Sequence, residues 1–140
     1  MDKITQATKI SQVKRGWHLI NVKDKILGRE ATVIAKLLMG KNKSYFVRNL
    51  DCGDNVVIVN AQDVKVTGKK ETDKKYYRHS GYPGGFKVRT FKELKSSNPA
   101  EIIKHAVKGM LPQNRLRDKM LRRLFVFKDE NHPYADKLKG

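Results

Sequence analysis

Lysine, arginine and tyrosine side chains crowd around one bare stretch of backbone, His79-Ser80-Gly81-Tyr82-Pro83-Gly84-Gly85. Lys69, Lys70, Lys74, Lys75 and Arg78 precede it, and Lys87, Arg89, Lys92 and Lys95 follow. Three glycines and a proline cannot continue a regular helix, and they leave the peptide groups unshielded by side chains. Tyr76, Tyr77 and Tyr82 interleave with the cations and offer flat faces for stacking on bases or sugars. One of Tyr76 and Tyr77 is expected to pack inward as a strand residue. In Tyr82-Pro83-Gly84 the order Pro then Gly suits a turn that needs a positive φ at the glycine. This chemistry is that of close approach to a polyanion.

The residue patterns of catalysis are missing. Gly40-Lys41 lacks both the upstream glycine and the following hydroxyl of a phosphate-binding loop, and Gly81, Gly84 and Gly85 do not form a dinucleotide fingerprint. Ser80 lies in no Gly-x-Ser-x-Gly elbow. His18, His79, His105 and His132 are scattered, and with the single Cys52 they give no zinc-type spacing. Asp51 and Asp54 flank Gly53 and read as turn residues. No cofactor and no small-molecule substrate is implied.

Composition narrows the partner class without by itself choosing a type. The 140 residues hold 31 Lys+Arg against 14 Asp+Glu, a formal charge of +17. Of these, 17 basic and 5 acidic residues fall between positions 65 and 123, whereas residues 124–140 are neutral overall. Such a field attracts nucleic acid or an anionic membrane. No apolar run reaches the ~20 residues that cross a bilayer, and Met1–Lys14 has no apolar core of a secretory signal. One cysteine excludes an intrachain disulfide. Lysines outnumber arginines 22 to 9, which favours diffuse phosphate neutralisation over bidentate base reading. A cationic helix near 113–123 lacks the paired-helix spacing of a DNA-reading unit, so shape and phosphate recognition of folded RNA fits best.

These groups need elements to hold them. Trp17–Val22 reads as a buried strand. Leu27–Met39 is helical, with Leu27, Ala31, Ile34 and Leu38 on one face and Gly40 as its stop. Val56–Ala61 is an unbroken β-branched run, suited to a strand buried on both faces of a parallel sheet. Lys74–His79 is extended. Asn98 and Pro99 open a helix that Gly109 should end, and Leu116, Met120 and Leu121 mark another. Leu124–Phe127 is a fourth strand. Alternating strands and helices predict an α/β fold, a sandwich around a mostly parallel sheet of about four strands. One domain spans 1–140, with an N-terminal arm over 1–16 and a polar C-terminal tail over 129–140.

Several motifs together resemble the bacterial type of the thirteenth large-subunit ribosomal protein family. They are Trp-His-Leu-Ile-Asn-Val from Trp17, Leu27-Gly28-Arg29, Gly53 to Ala61, Thr67-Gly68-Lys69-Lys70, His79 to Gly85, Gly109-Met110-Leu111-Pro112-Gln113-Asn114 and His132-Pro133. They occur in the family's order and span roughly residues 17–135, nearly the whole chain. The sequence departs from the family at Asn21, Arg117-Asp118 and Tyr134. It also departs at Gln113, which replaces a usual lysine and is not counted as a phosphate contact. The resemblance implies a three-layer α/β/α domain without catalytic activity. It implies a cytoplasmic constituent of the large ribosomal subunit that binds large-subunit ribosomal RNA, supports its assembly and neighbours other large-subunit ribosomal proteins. A free-standing regulator that binds messenger RNA is the alternative that the same basic surface permits. The candidate RNA contacts around the glycine loop are Lys69, Lys70, Lys74, Lys75, Arg78, His79, Ser80, Tyr82, Gly84, Gly85 and Lys87. Further along they are Lys108, Asn114, Arg115, Arg117, Arg122 and Arg123.

Overall fold

The computed structural model describes residues 9–68 and 73–138, apart from the His79 side chain. In chain order its elements are β1 (Trp17–Asn21), α1 (Leu27–Met39), β2 (Asn55–Val59), β3 (Lys75–His79), β4 (Phe86–Thr90), α2 (Phe91–Ser97), α3 (Pro99–Met110), α4 (Leu116–Arg122), β5 (Leu124–Val126) and α5 (Ala135–Leu138). The fold is mixed α/β.

β1, β2 and β5 form a parallel sheet with β2 in the middle. Val56 to Val59 are buried, as their unbroken β-branched run foretells for a central parallel strand. Val56, Ile58 and Leu124 face the helices, where Ala31, Ile34 and Leu38 of α1 meet Ile102, Ile103 and Val107 of α3. Gly40 ends α1 in the left-handed conformation, φ +82°. The opposite face of the sheet is covered by the C-terminal segment. There Tyr134 lies 5.2 Å from Trp17 and 4.6 Å from Phe125 between ring centroids, and α5 packs beside β1.

The sheet has three strands among the described residues, not about four. β3 pairs with β4 instead, in an antiparallel hairpin separate from the main sheet. The reason is local. Phe86-Lys87-Val88-Arg89-Thr90 alternates apolar and cationic residues with period two, and a short glycine loop joins it to β3, so the nearest partner captures the strand. Thr90 then caps α2, its hydroxyl accepting from the Glu93 N–H at 3.3 Å. Thr90-x-x-Glu93 is a helix-start signal that the sequence carries openly.

α3 opens at Asn98 and Pro99 as expected, with Glu101 in its first turn, but its far end departs from expectation. Asn98 makes no side-chain cap bond at this start, and it also closes α2, its N–H donating to Leu94 O at 2.7 Å. Gly109 does not stop α3. The helix continues through Met110, and Leu111, which is buried, still donates to Val107 O at 3.1 Å before Pro112 breaks the pattern.

Candidate nucleic-acid interface

In β3 and β4, side chains alternate between two faces. Register pairs Arg78 with Lys87 and Tyr76 with Arg89 on one face, and Tyr77 with Val88 on the other. On the first face Tyr76 packs inward, meeting the His105 ring edge-on at 5.2 Å, and burial raises its phenol pKa. Arg78, Lys87 and Arg89 are exposed beside it. Their only carboxylate within salt-bridge range among the described residues is Glu101 of α3, 3.6 Å from Arg78. Like charges held directly opposite across two strands repel, so this face is complementary to an added anion. On the second face Tyr77 is 67% exposed and stacks on Phe86 at 5.7 Å.

The loop between the strands is a type II turn. Gly85 N–H donates to Tyr82 O at 2.9 Å, and Gly84 supplies the required φ of +76°. Ser80 N–H donates to Gly85 O at 3.1 Å and closes the hairpin. The Gly84 position opens onto free space, whereas a methyl at Gly85 would collide with the Ser80 side chain. The turn carries Tyr82 at its tip, 75% exposed. Lys75 is exposed, and Lys74 sits with its ammonium 5.5 Å from the Tyr76 ring. Lys69 and Lys70 lie outside the described residues, as does the side chain of His79, whose backbone pairs with Phe86.

The remaining expected contacts stand toward the other end of α3, a helix of 12 residues that is about 18 Å long. Lys108 is exposed in its last turn, and Arg115 and Arg122 are exposed around α4. Arg117 is half-buried. Asn114 turns its side chain to structure, accepting from Leu116 N–H at 3.0 Å.

Arg123 faces inward. It donates to Asp54 O at 2.6 Å and Leu38 O at 3.0 Å and pairs with Asp51. Gly16, Asp54 and Arg123 each immediately precede a strand of the parallel sheet, so parallel pairing brings them together at the N-terminal end of the sheet. There Asp54, 4% exposed, accepts from Gly16 N–H at 2.9 Å, lies 2.7 Å from His18 Nε2 and 2.6 Å from Lys43 Nζ. Burial alone would raise the Asp54 carboxyl pKa, but the bonds from Lys43, Gly16 and His18 outweigh it and hold it below the ordinary value. Arg15 adds bonds to Gly53 O at 2.7 Å and Asp51 O at 2.9 Å. Asp51 and Asp54 are therefore anchors of a partly buried ionic cluster rather than simple turn residues. Sequence reasoning missed this cluster because, Lys43 apart, its partners are 36 to 85 positions from one another.

No group of three or more metal-ligating side chains occurs among the described residues. No helix there is long and apolar enough to cross a membrane.

Residues 15–133 match the family described as ribosomal protein L13. A Dehalococcoides mccartyi protein named large ribosomal subunit protein uL13 is 50% identical over 131 residues, 94% of this chain and 92% of the relative. A Nautilia profundicola protein of the same name is 45% identical over 138 residues, 99% of each chain. One from Symbiobacterium thermophilum is 50% identical over 123 residues, 88% of this chain and 86% of the relative.

Proposed function

Since the chain belongs to the ribosomal protein L13 family, we propose that it binds large-subunit ribosomal RNA and supports the folding and assembly of that RNA. Family membership makes it a non-enzymatic constituent of the large ribosomal subunit. The observation that carries RNA binding is the hairpin face on which Arg78 stands opposite Lys87, with Arg89 next along. Two cations held that close in a free protein cost stability, and a phosphate between them converts the repulsion into attraction. Release of condensed counterions from the RNA adds affinity.

Lys74, Lys75, Arg78, Lys87 and the turn Ser80 to Gly85 form one contact region, and Lys69, Lys70 and His79 are further RNA contacts on the grounds of sequence alone. Tyr82 stacks on exposed bases at its tip. Lys108, Arg115, Arg117 and Arg122 form a second region with Asn114. Arg123 acts from behind, as a brace. Residues 1–140 work as one RNA-binding domain, with 1–16 as an arm and 129–140 as a tail, in contact with neighbouring large-subunit proteins in the cytoplasm. Holding RNA segments together in this way requires no cofactor.

Sedimentation of a cell extract through a sucrose gradient tests the reading. The chain should travel with large subunits and remain with them after moderate salt. Recovery mainly in light fractions bound to messenger RNA would replace this reading with that of a free-standing regulator.

A further inference from the structure

Met110, Leu111, Pro112 and Asn114 belong to the conspicuous Gly109–Asn114 motif, yet the basic surface makes no use of its apolar members. They form one wall of a groove enclosing about 320 Å³. The facing wall is the loop after α1, which contributes Lys41, Phe46, Arg48 and Leu50, and the floor is Met39 and Met120. We propose that this groove receives one unstacked nucleobase of the bound RNA, its flanking phosphates resting on Lys41 and Arg48. The proposal rests on the RNA-binding reading above and adds to it a pocket that takes a base of any identity.

Two features select that occupant. The interior is apolar and soft: Met39 and Met120 are buried, Phe46 is half-buried, and Met110 stands 43% exposed at the lip. Thioethers and a ring accommodate a flat heterocycle of any identity. The rim is cationic, and none of the lining residues is acidic. Lys41 and Arg48 are exposed and form no ion pair among the described residues. An aliphatic side chain would leave these cations unanswered, and a duplex could present phosphates but no free base face. An unstacked nucleotide satisfies both requirements.

The groove is also preformed. Its loop has no regular structure between α1 and β2, yet it is pinned by Lys43 on Asp54, by Asp51 on Arg15 and Arg123, and by the Tyr45 hydroxyl on Lys14 O at 3.1 Å. A base entering it meets a wall already tied to the rest of the fold, which lowers the ordering cost of binding.

Methionine methyl groups report occupancy directly. The full chain, carrying labelled methionine methyls, is titrated by NMR with single-stranded oligoadenylate, with an abasic ribose-phosphate oligomer and with duplex RNA. Oligoadenylate should shift the Met110 and Met120 methyl signals through the ring current of the bound base, and the abasic oligomer should not. Met110→Glu and Arg48→Gln should each weaken oligoadenylate binding about tenfold without lowering the thermal midpoint. Binding of oligoadenylate with unmoved methyls would overturn the pocket while leaving RNA binding intact. Equal shifts with the abasic oligomer would reduce the site to a phosphate contact and overturn base occupancy. Shifts seen only on adding purified large-subunit proteins would assign the groove to a protein partner instead. Failure of every RNA to bind would overturn the underlying RNA reading, a result distinct from the others.

Discussion

Gly53 has no room for a side chain: a methyl there would fall on the Leu38 carbonyl and press on the Arg123 guanidinium. Gly53→Ala must therefore push the loop off the end of α1 and disturb the Arg123 bonds. A loss of about 3 kcal/mol is expected, read as a lower denaturant midpoint in urea unfolding. Asp54 is the other critical residue. Its carboxyl pKa is depressed by bonds present only in the folded chain, so the folded state binds its proton less readily than the unfolded state does. The stability from this group is therefore fully present above the ordinary carboxylate value, about 3.9, and is lost as pH falls through the lower folded value. Asp54→Asn should destabilise the protein by about 3 kcal/mol at neutral pH, because Lys43 is left largely buried without its partner. As pH falls below the ordinary carboxylate range and through the lower folded value, the difference from wild type should shrink. Thermal midpoints of the two proteins across a pH series check both the size and the direction, and a constant difference would show that the carboxylate charge is not what matters.

At the scale of elements, the β3–β4 hairpin combines a cost and a use. Arg78 and Lys87 face each other across the ladder with one carboxylate, Glu101, near Arg78. Lys87→Gln removes the cross-strand repulsion, so the free protein should gain about 0.5 kcal/mol. The same change should weaken RNA binding for every sequence tested and reduce the slope of log affinity against log salt by about 1. Unfolding curves and salt titrations on the same variant provide the check. A gain in stability with an unchanged slope would remove Lys87 from the contact region. The hairpin also explains why Tyr76 and Tyr77 differ: adjacent strand residues point to opposite faces, and only Tyr76 faces α3.

For the molecule as a whole, a charge of +17 on 140 residues makes the folded chain repel itself more than the expanded chain does. Salt screens that repulsion, with a Debye length of about 30 Å at 0.01 M and about 8 Å at 0.15 M. The thermal midpoint should therefore rise as sodium chloride increases over this range, and rise further in phosphate of equal ionic strength, which binds as well as screens. Calorimetry in the two salts measures this. A midpoint that fell with chloride would mean that internal ion pairs such as Asp54–Lys43 outweigh the net charge.

The local elements were legible in the chain itself. The stripe Leu27, Ala31, Ile34, Leu38 gave α1 with its glycine stop, the β-branched run gave β2, and Pro83-Gly84 gave a turn with positive φ. The cationic surplus and the motif order pointed to the family. Those signals lie within a few residues of one another, and backbone sterics and side-chain periodicity act over that range. Tertiary structure alone decided where each charge went. Arg122 and Arg123 are adjacent in sequence, yet one is exposed and the other is bonded to Leu38 and Asp54, 85 and 69 positions away. Nothing local distinguishes them, because an arginine's role is set by which carbonyls and carboxylates the parallel crossovers bring to its end of the sheet. The same holds for Asp54 and for the groove beside Met110, whose walls come from segments distant in the chain and meet only when the helices pack on the sheet.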